Sequence, residues 1–290
     1  MERRARTFPS HDGTRLSFTE VGHGPPLLCV PGGPGRAAEY LEDLAGLTAR
    51  RTLVLLDNRG TGRSEAPADP ATYRFDRLAE DVEALRAHLG LAQAEVLGHS
   101  AGAVAAQVWA AQHPARVRAL LLVTPSDKLQ GGTRADVAAI RASRAAEPWY
   151  ADAAAAEREL VKAPPASQQP LVRRLRPFYY GRWDARVAAH AASAEPQSRE
   201  AAERGWYAGA EGVDAAALVG RLGGVQAPVL VLGGARDGIT GVDSVHAVAR
   251  CFPRAQAVVL PGAGHFPWVD APEAFRDALA RFLDGLDGRA

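Results

Sequence analysis

The chain has 290 residues, 47% of them hydrophobic, and a formal net charge of +1. That length and apolar content suit one large α/β domain with an insertion, and the near-neutral charge excludes an electrostatic case for nucleic acid or an anionic membrane surface. No run approaches the ~18 apolar residues of a membrane span, no apolar stretch follows the charged residues 1–7 as a secretory signal requires, and Cys29 and Cys251 have neither metal nor redox spacing, so a cytoplasmic protein without disulfides is expected.

Residues 4–21 read as a strand pair turning at His11-Asp12-Gly13. Leu27-Leu28-Cys29-Val30 is a short apolar run bounded by prolines and glycines, hence a buried strand. It runs into Pro31-Gly32-Gly33-Pro34-Gly35. Tyr40, Leu41, Leu44 and Leu47 then recur at helical spacing, which predicts a helix over 37–49. The next buried strand, residues 52–56, ends in Asp57-Asn58-Arg59-Gly60-Thr61-Gly62-Arg63-Ser64. Leu78, Val82, Leu85 and Leu89 mark an amphipathic helix. It leads to a strand at 94–97, a buried helix over 103–109 and a further strand at 117–123. Strands alternating with helices imply a mostly parallel sheet covered on both faces.

The rhythm breaks after Thr124. Roughly 100 Ala-rich, proline-punctuated residues separate it from the strand Val229-Leu230-Val231-Leu232, far more than one crossover needs. Residues 127–214 read as an inserted helical lid. Residues 1–126 and 215–290 then form the body. After the strand at 229–232 come Gly233-Gly234-Ala235-Arg236-Asp237-Gly238, a helix over 242–251 and a last strand at 256–260. The loop Pro261-Gly262-Ala263-Gly264-His265-Phe266-Pro267 and a closing helix over 272–286 complete the chain.

One stretch organises the rest. Gly98-His99-Ser100-Ala101-Gly102 lies between a strand and a buried helix, the G-x-S-x-G pattern of a nucleophile elbow. Its strained turn pushes a serine hydroxyl out above the sheet, and the glycines leave room for the crowded backbone. A serine is a poor nucleophile without a base and a group that orients the base. In a parallel sheet these groups meet at the carboxyl ends of the strands. Ser100, Asp237 and His265 each follow a strand, in the order Ser, Asp, His. Asp127 and Asp243 compete with Asp237 for the acid role. The oxyanion donors expected are the amide of Ala101 and one from Gly32-Gly33, with Gly33 favoured.

Neither glycine loop has the full dinucleotide spacing, since Glu65 stands where the third glycine belongs after Gly60 and Gly62. No cofactor and no metal are expected. The lid holds seven of the chain's Trp and Tyr residues: Trp149, Tyr150, Tyr179, Tyr180, Trp183, Trp206 and Tyr207. Trp149, Tyr180, Trp183 and Trp206 are the candidates to wall a substrate pocket. Arg173, Arg174, Arg176, Arg182 and Arg186 form a basic run that reads first as a solvated face.

These motifs resemble the α/β-hydrolases, and within them the proline iminopeptidase-like serine hydrolases. The resemblance rests on Gly32-Gly33-Pro34-Gly35, the loop of residues 57–64, the elbow, Asp237 and Gly264-His265-Phe266-Pro267. It implies an eight-stranded, mostly parallel sheet with helices on both faces and a helical lid. It implies a cofactor-free hydrolase using a Ser100–His265–Asp237 triad on short peptides or amino-acid amides. The alternatives are an esterase, lactonase or amidase, or a cofactor-independent lyase or cyclase on the same fold. Iminopeptidases tend to carry a Trp-Glu pair in the lid whose carboxylate binds the substrate amine. Here the lid tryptophans precede Tyr150, Asp184 and Tyr207, leaving Asp184, Glu195, Glu200 and Glu203 as candidate acids. A small molecule or short peptide is the partner expected, with no nucleic acid and no membrane.

Overall fold

The computed structural model describes residues 3–132, 134–164, 167–208 and 212–288. Its centre is an eight-stranded sheet: β1 (Arg4–Pro9), β2 (Arg15–Gly22), β3 (Pro26–Val30), β4 (Thr52–Asp57), β5 (Ala94–His99), β6 (Val117–Val123), β7 (Val229–Gly234) and β8 (Ala255–Leu260). The order across the sheet is β1-β2-β4-β3-β5-β6-β7-β8. The hairpin β1–β2 and the β2–β4 pair are antiparallel. All other pairs are parallel.

The strands are apolar on both faces because both faces are covered. Leu28, Val30, Val54, Val96, Leu120, Leu122 and Val231 point to one side. There they meet the helices α1 (Phe75–His88) and α2 (Ala101–Gln112). Leu27, Cys29, Leu55, Leu97, Leu121 and Leu232 point to the other. Between β6 and β7 run α3 (Val137–Ala142), α4 (Tyr150–Leu160), α5 (Gln168–Leu175), α6 (Ala185–Ala192), α7 (Ala194–Gln197), α8 (Glu200–Ala208) and α9 (Ala215–Leu222). Leu218 and Leu222 of α9 join the core beside α2. A small separate cluster, Ala153, Ala156, Leu175 and Phe178, sits inside the inserted stretch. Residues 133, 165–166 and 209–211 of the expected lid lie outside the described residues. The chain closes with α10 (Asp243–Ala249), α11 (Pro267–Asp270) and α12 (Pro272–Asp287). Phe275, Leu279, Phe282 and Leu283 of α12 cover the second face of the sheet.

One expected element is absent. Residues 37–49 form two 3₁₀ turns, Ala38–Leu41 and Leu47–Ala49, not one helix. Glu42, Leu44, Ala45 and Gly46 between them have positive φ, which no α-helix allows. Tyr40, Leu41, Leu44 and Leu47 are all buried nonetheless. Their spacing reported the face that packs on the sheet, and an irregular chain presents that face as well as a helix would. No described helix is long and apolar enough to cross a membrane.

Candidate active site

Ser100 stands between β5 and α2 with φ 53° and ψ −115°, a conformation disfavoured for any residue with a side chain. The surroundings hold it there. Its N–H donates to the Val123 carbonyl at 3.0 Å and its carbonyl accepts from Ala103. A Cβ on Gly98 would lie 2.7 Å from Ala103 Cα, and one on Gly102 would lie 2.3 Å from the Val30 carbonyl oxygen. No real Cβ tolerates such contacts, so only glycine lets the strand and helix close on the serine.

His265 sits in the loop after β8, and its Nδ1 lies 2.8 Å from Asp237 Oδ2. Asp237, at the end of β7, is fully buried. It also accepts from the amides of Ile239 (2.8 Å) and Thr240 (3.1 Å) and from the Thr240 hydroxyl (2.7 Å). Burial pushes its carboxyl up, but His265 and these donors outweigh burial and hold it below the usual carboxylate range. The competing Asp127 and Asp243 make no bond to His265. Asp127 lines the cavity beside Ser100 with its Oδ1 buried and unpartnered among the described residues. Asp243 begins α10 and its amide donates to Asp136.

Ser100 and His265 line one cavity of about 660 Å³. Gly33, Ala101, Tyr180 and Trp206 line it too. The Ser100 hydroxyl bonds to none of the described residues, and neither do the amide N–H groups of Gly33 and Ala101. Gly32 is different: its N–H donates to the Tyr40 hydroxyl at 2.6 Å. Gly33 has φ +49°, and its amide is the free donor of the pair. Trp149 and Trp183 do not line the cavity. Trp149 packs edge-on to Phe178 at 5.1 Å and donates its Nε1 to Glu147 at 2.8 Å. Trp183 packs on Tyr180 at 5.8 Å. Trp149 joins the small cluster inside the inserted stretch, and Trp183 packs against the cluster on the second face of the sheet.

Sequence reasoning passed over a buried network behind the serine. Tyr40 Oη lies 2.7 Å from His99 Nδ1, and His99 Nε2 lies 2.9 Å from the His265 carbonyl oxygen. The Thr124 hydroxyl donates to the same carbonyl at 3.0 Å. Because a carbonyl only accepts, His99 carries its proton on Nε2, and its Nδ1 accepts a hydrogen bond from the Tyr40 hydroxyl. Burial, with His265 beside it, pushes His99 well below the usual histidine range, so it stays neutral. The chain Gly32 N–H, Tyr40, His99, His265 carbonyl thus ties the Gly33 loop to the His265 loop. The signal was present in the letter x of G-x-S-x-G, a polar residue between a strand and a buried helix.

The loop of residues 57–64 is a brace. A Cβ on Gly62 would strike the Asp57 carboxylate at 2.2 Å, and one on Gly60 the Tyr73 hydroxyl at 2.5 Å. Arg59 is completely buried and pairs with Asp81 and with Asp12. Among the described residues no group of three or more His, Cys, Asp or Glu is placed to hold a metal ion.

Comparisons with known proteins bear on the family and the fold. The profile of the alpha/beta hydrolase fold family matches residues 25–272. A proline iminopeptidase of Heyndrickxia coagulans is 34% identical over 116 residues; the match spans 39% of this chain and only 40% of that protein's length. A pimeloyl-[acyl-carrier protein] methyl ester esterase of Chromobacterium violaceum is 30% identical over 276 residues, 93% of this chain and 98% of that protein. A solved proline iminopeptidase of Mycobacterium smegmatis has a TM-score of 0.74 at 23% identity, covering 98% of this chain and 99% of that one, a likeness of fold. The chain belongs to the α/β-hydrolase fold family, resembles its proline iminopeptidases and is an enzyme of the serine hydrolase kind.

Proposed function

We propose that the protein hydrolyses a carbonyl substrate through an acyl-enzyme on Ser100, without a cofactor. The Ser100 hydroxyl attacks the carbonyl carbon while His265 Nε2 takes its proton. Asp237 fixes the His265 tautomer through the 2.8 Å bond to Nδ1, the observation that carries this reading. The Gly33 and Ala101 amides receive the developing oxyanion. His265 then returns the proton to the leaving group, and water releases the acyl group by the same steps in reverse roles. The bond between Ser100 and His265 tightens only with substrate in place, as is common for empty sites. Residues 127–214 act as the lid that chooses the substrate.

The finer reading is an aminopeptidase on short peptides or amino-acid amides. Glu203 supports it. Of the four candidate acids, Glu195 is paired with Arg173, Glu200 with Arg204, and Asp184 with Arg182 outside the cavity. Glu203 faces the cavity and has no ion pair among the described residues. Its side chain is open to solvent, and partial desolvation, with Glu200 nearby, raises its carboxyl above the usual range. The second reading, an esterase, is supported by the near full-length likeness to a methyl ester esterase.

A fluorophosphonate probe should label Ser100 stoichiometrically and spare the Ser100→Ala protein. Absence of any acyl or phosphonyl adduct would replace this mechanism with lyase or cyclase chemistry on the same fold. For the finer reading, acetylating the substrate amine should lower kcat/KM by ~100-fold, about 2.7 kcal/mol. Equal cleavage of free and blocked substrates would leave the esterase.

A further inference from the structure

Five arginines are buried among the described residues: Arg36, Arg51, Arg59, Arg86 and Arg144. Four of them hold a carboxylate: Arg51 with Glu95, Arg59 with Asp81, Arg86 with Glu83 and Arg144 with Glu147. Arg36 holds none. Its Nε donates to Gln197 Oε1 at 2.9 Å, and its Nη2 to Ser193 Oγ at 3.0 Å and to the His190 carbonyl at 3.4 Å. All three acceptors are neutral. Nη1 has no partner among the described residues, and the side chain lines the cavity of Ser100.

The surroundings do not supply the missing charge. The guanidinium stacks on Tyr40, 4.2 Å from the ring centroid, with Phe266 at 5.8 Å. His190 beside it is neutral, its pKa pushed down to about 4 chiefly by burial. Arg176, in the same cavity wall, adds a second positive charge and has no ion pair of its own among the described residues. Glu42 acts on Arg36 only from beyond ion-pair distance. Stacking and neutral acceptors offset part of the desolvation of a guanidinium, but a buried charge without a counter-ion is costly. The two N–H groups of Nη1 remain to make a charge-assisted bond to a carboxylate oxygen.

We propose that Arg36 Nη1, backed by Arg176, receives a carboxylate of the substrate whose carbonyl lies on Ser100. This rests on the serine hydrolase reading and applies to peptide and ester alike. Arg36 lies on the same turn as the oxyanion donor, its amide donating to the Gly33 carbonyl at 2.5 Å. Arg36 and Ser100 line one cavity, so one short substrate can present its carboxylate to the first and its carbonyl to the second. Two sources meet that requirement: a carboxylate on the acyl part, as in a monoester of a dicarboxylic acid, or one on the leaving part, as in a peptide or an O-acyl hydroxy acid.

Paired substrates separate them. Monomethyl and dimethyl esters of short dicarboxylic acids form one arm. O-acyl glycolate and its methyl ester form the other. In at least one arm the anion should be preferred in kcat/KM by ~10-fold or more, the range of a charge-assisted hydrogen bond. Arg36→Gln should bring that ratio towards one. Because Arg36 also ties its loop to Ser193 and Gln197, a second measurement uses no Arg36 variant. Calorimetry on Ser100→Ala protein should find the monoamide of a short dicarboxylic acid bound at least ~10-fold tighter than its diamide, with affinity falling as salt rises. Equal turnover of anion and neutral partner in both arms, with equal binding of monoamide and diamide, would overturn the site. So would Arg36→Gln lowering anionic and neutral turnover by the same factor, which would make Arg36 a tether. Loss of the Ser100 adduct with preferential monoamide binding intact would instead overturn the acyl-enzyme alone.

Discussion

The loops of the body that meet at Ser100 and the inserted helices above them are held by different forces. In the body, backbone packs against backbone. A Cβ on Gly234 would lie 2.2 Å from the Ala263 carbonyl oxygen, and one on Gly32 2.5 Å from the His99 carbonyl oxygen. In the insertion, much of the surface is tied by exposed ion pairs such as Arg173–Glu195, Arg174–Asp152 and Arg204–Glu200. Such pairs contribute about 0–1 kcal/mol each. Steric exclusion leaves the reacting groups one position, while weak pairs leave the wall adjustable. A fold built so keeps its chemistry and changes its substrate.

The contrast breaks most sharply at the serine. Ser100→Ala should lower kcat by at least ~10⁴-fold, with the melting temperature within a few degrees of the parent. Asp237→Asn should cost up to ~10⁴-fold in kcat, because the amide favours the wrong His265 tautomer. Steady-state kinetics beside thermal unfolding checks both. Turnover retained in Ser100→Ala would remove the covalent route.

Gly33→Val comes next. At φ +49° a β-branched residue is strained, and its Cβ would stand 3.4 Å from Arg36 Cβ, so the amide turns away from the oxyanion position. A loss of ~10²–10³-fold in kcat is expected, the value of one oxyanion donor. If the variant loses only melting temperature, the loop is structural and the second donor lies elsewhere.

Tyr40→Phe tests the hidden network. It deletes the hydroxyl that receives the Gly32 N–H and donates to His99, leaving two buried polar groups unpaired. A stability loss of about 1–3 kcal/mol is expected, with kcat reduced by no more than ~10-fold. Urea unfolding and kinetics together decide. Unchanged stability would mean that water takes the place of the hydroxyl.

The same contrast explains what was legible in the sequence. Strands flanked by glycine are local signals, and β5, Ser100 and α2 could be read from one window. Asp237 and His265 followed from strand order. Tyr40 was misplaced because burial at helical spacing does not require a helix, as Glu42, Leu44 and Ala45 with positive φ demonstrate. Composition alone points Trp149 and Trp183 at the pocket, and the structure turns them elsewhere. Which face of an inserted helix meets the cavity depends on how short, proline-broken segments stack. No period records that. Arg36 gave no signal at all, since its meaning lies in a carboxylate that is missing.

Asp270 sits on the seam between the two regions, so its titration reports how tightly they are joined. Its Oδ2 accepts from Gly181 of the insertion and from Gly264 of the His265 loop, both at 2.8 Å. Its Oδ1 is buried without a partner among the described residues. Burial outweighs the two amides and raises the pKa from 3.8 to about 6. The sign follows from linkage. A carboxyl that binds its proton more tightly when folded favours the fold fully below the unfolded pKa, and that advantage is lost as pH rises through the folded one. Between pH 4 and pH 6 this group should withdraw about 2 kcal/mol of stability. Asp270→Asn cannot titrate, yet its side-chain oxygen still accepts both amides. The difference in unfolding free energy between variant and parent should therefore move in the variant's favour by about that amount from pH 4 to pH 6, and little further above pH 7. The measurement is urea unfolding at each pH. A difference independent of pH would mean that water reaches Asp270 and that the seam is open.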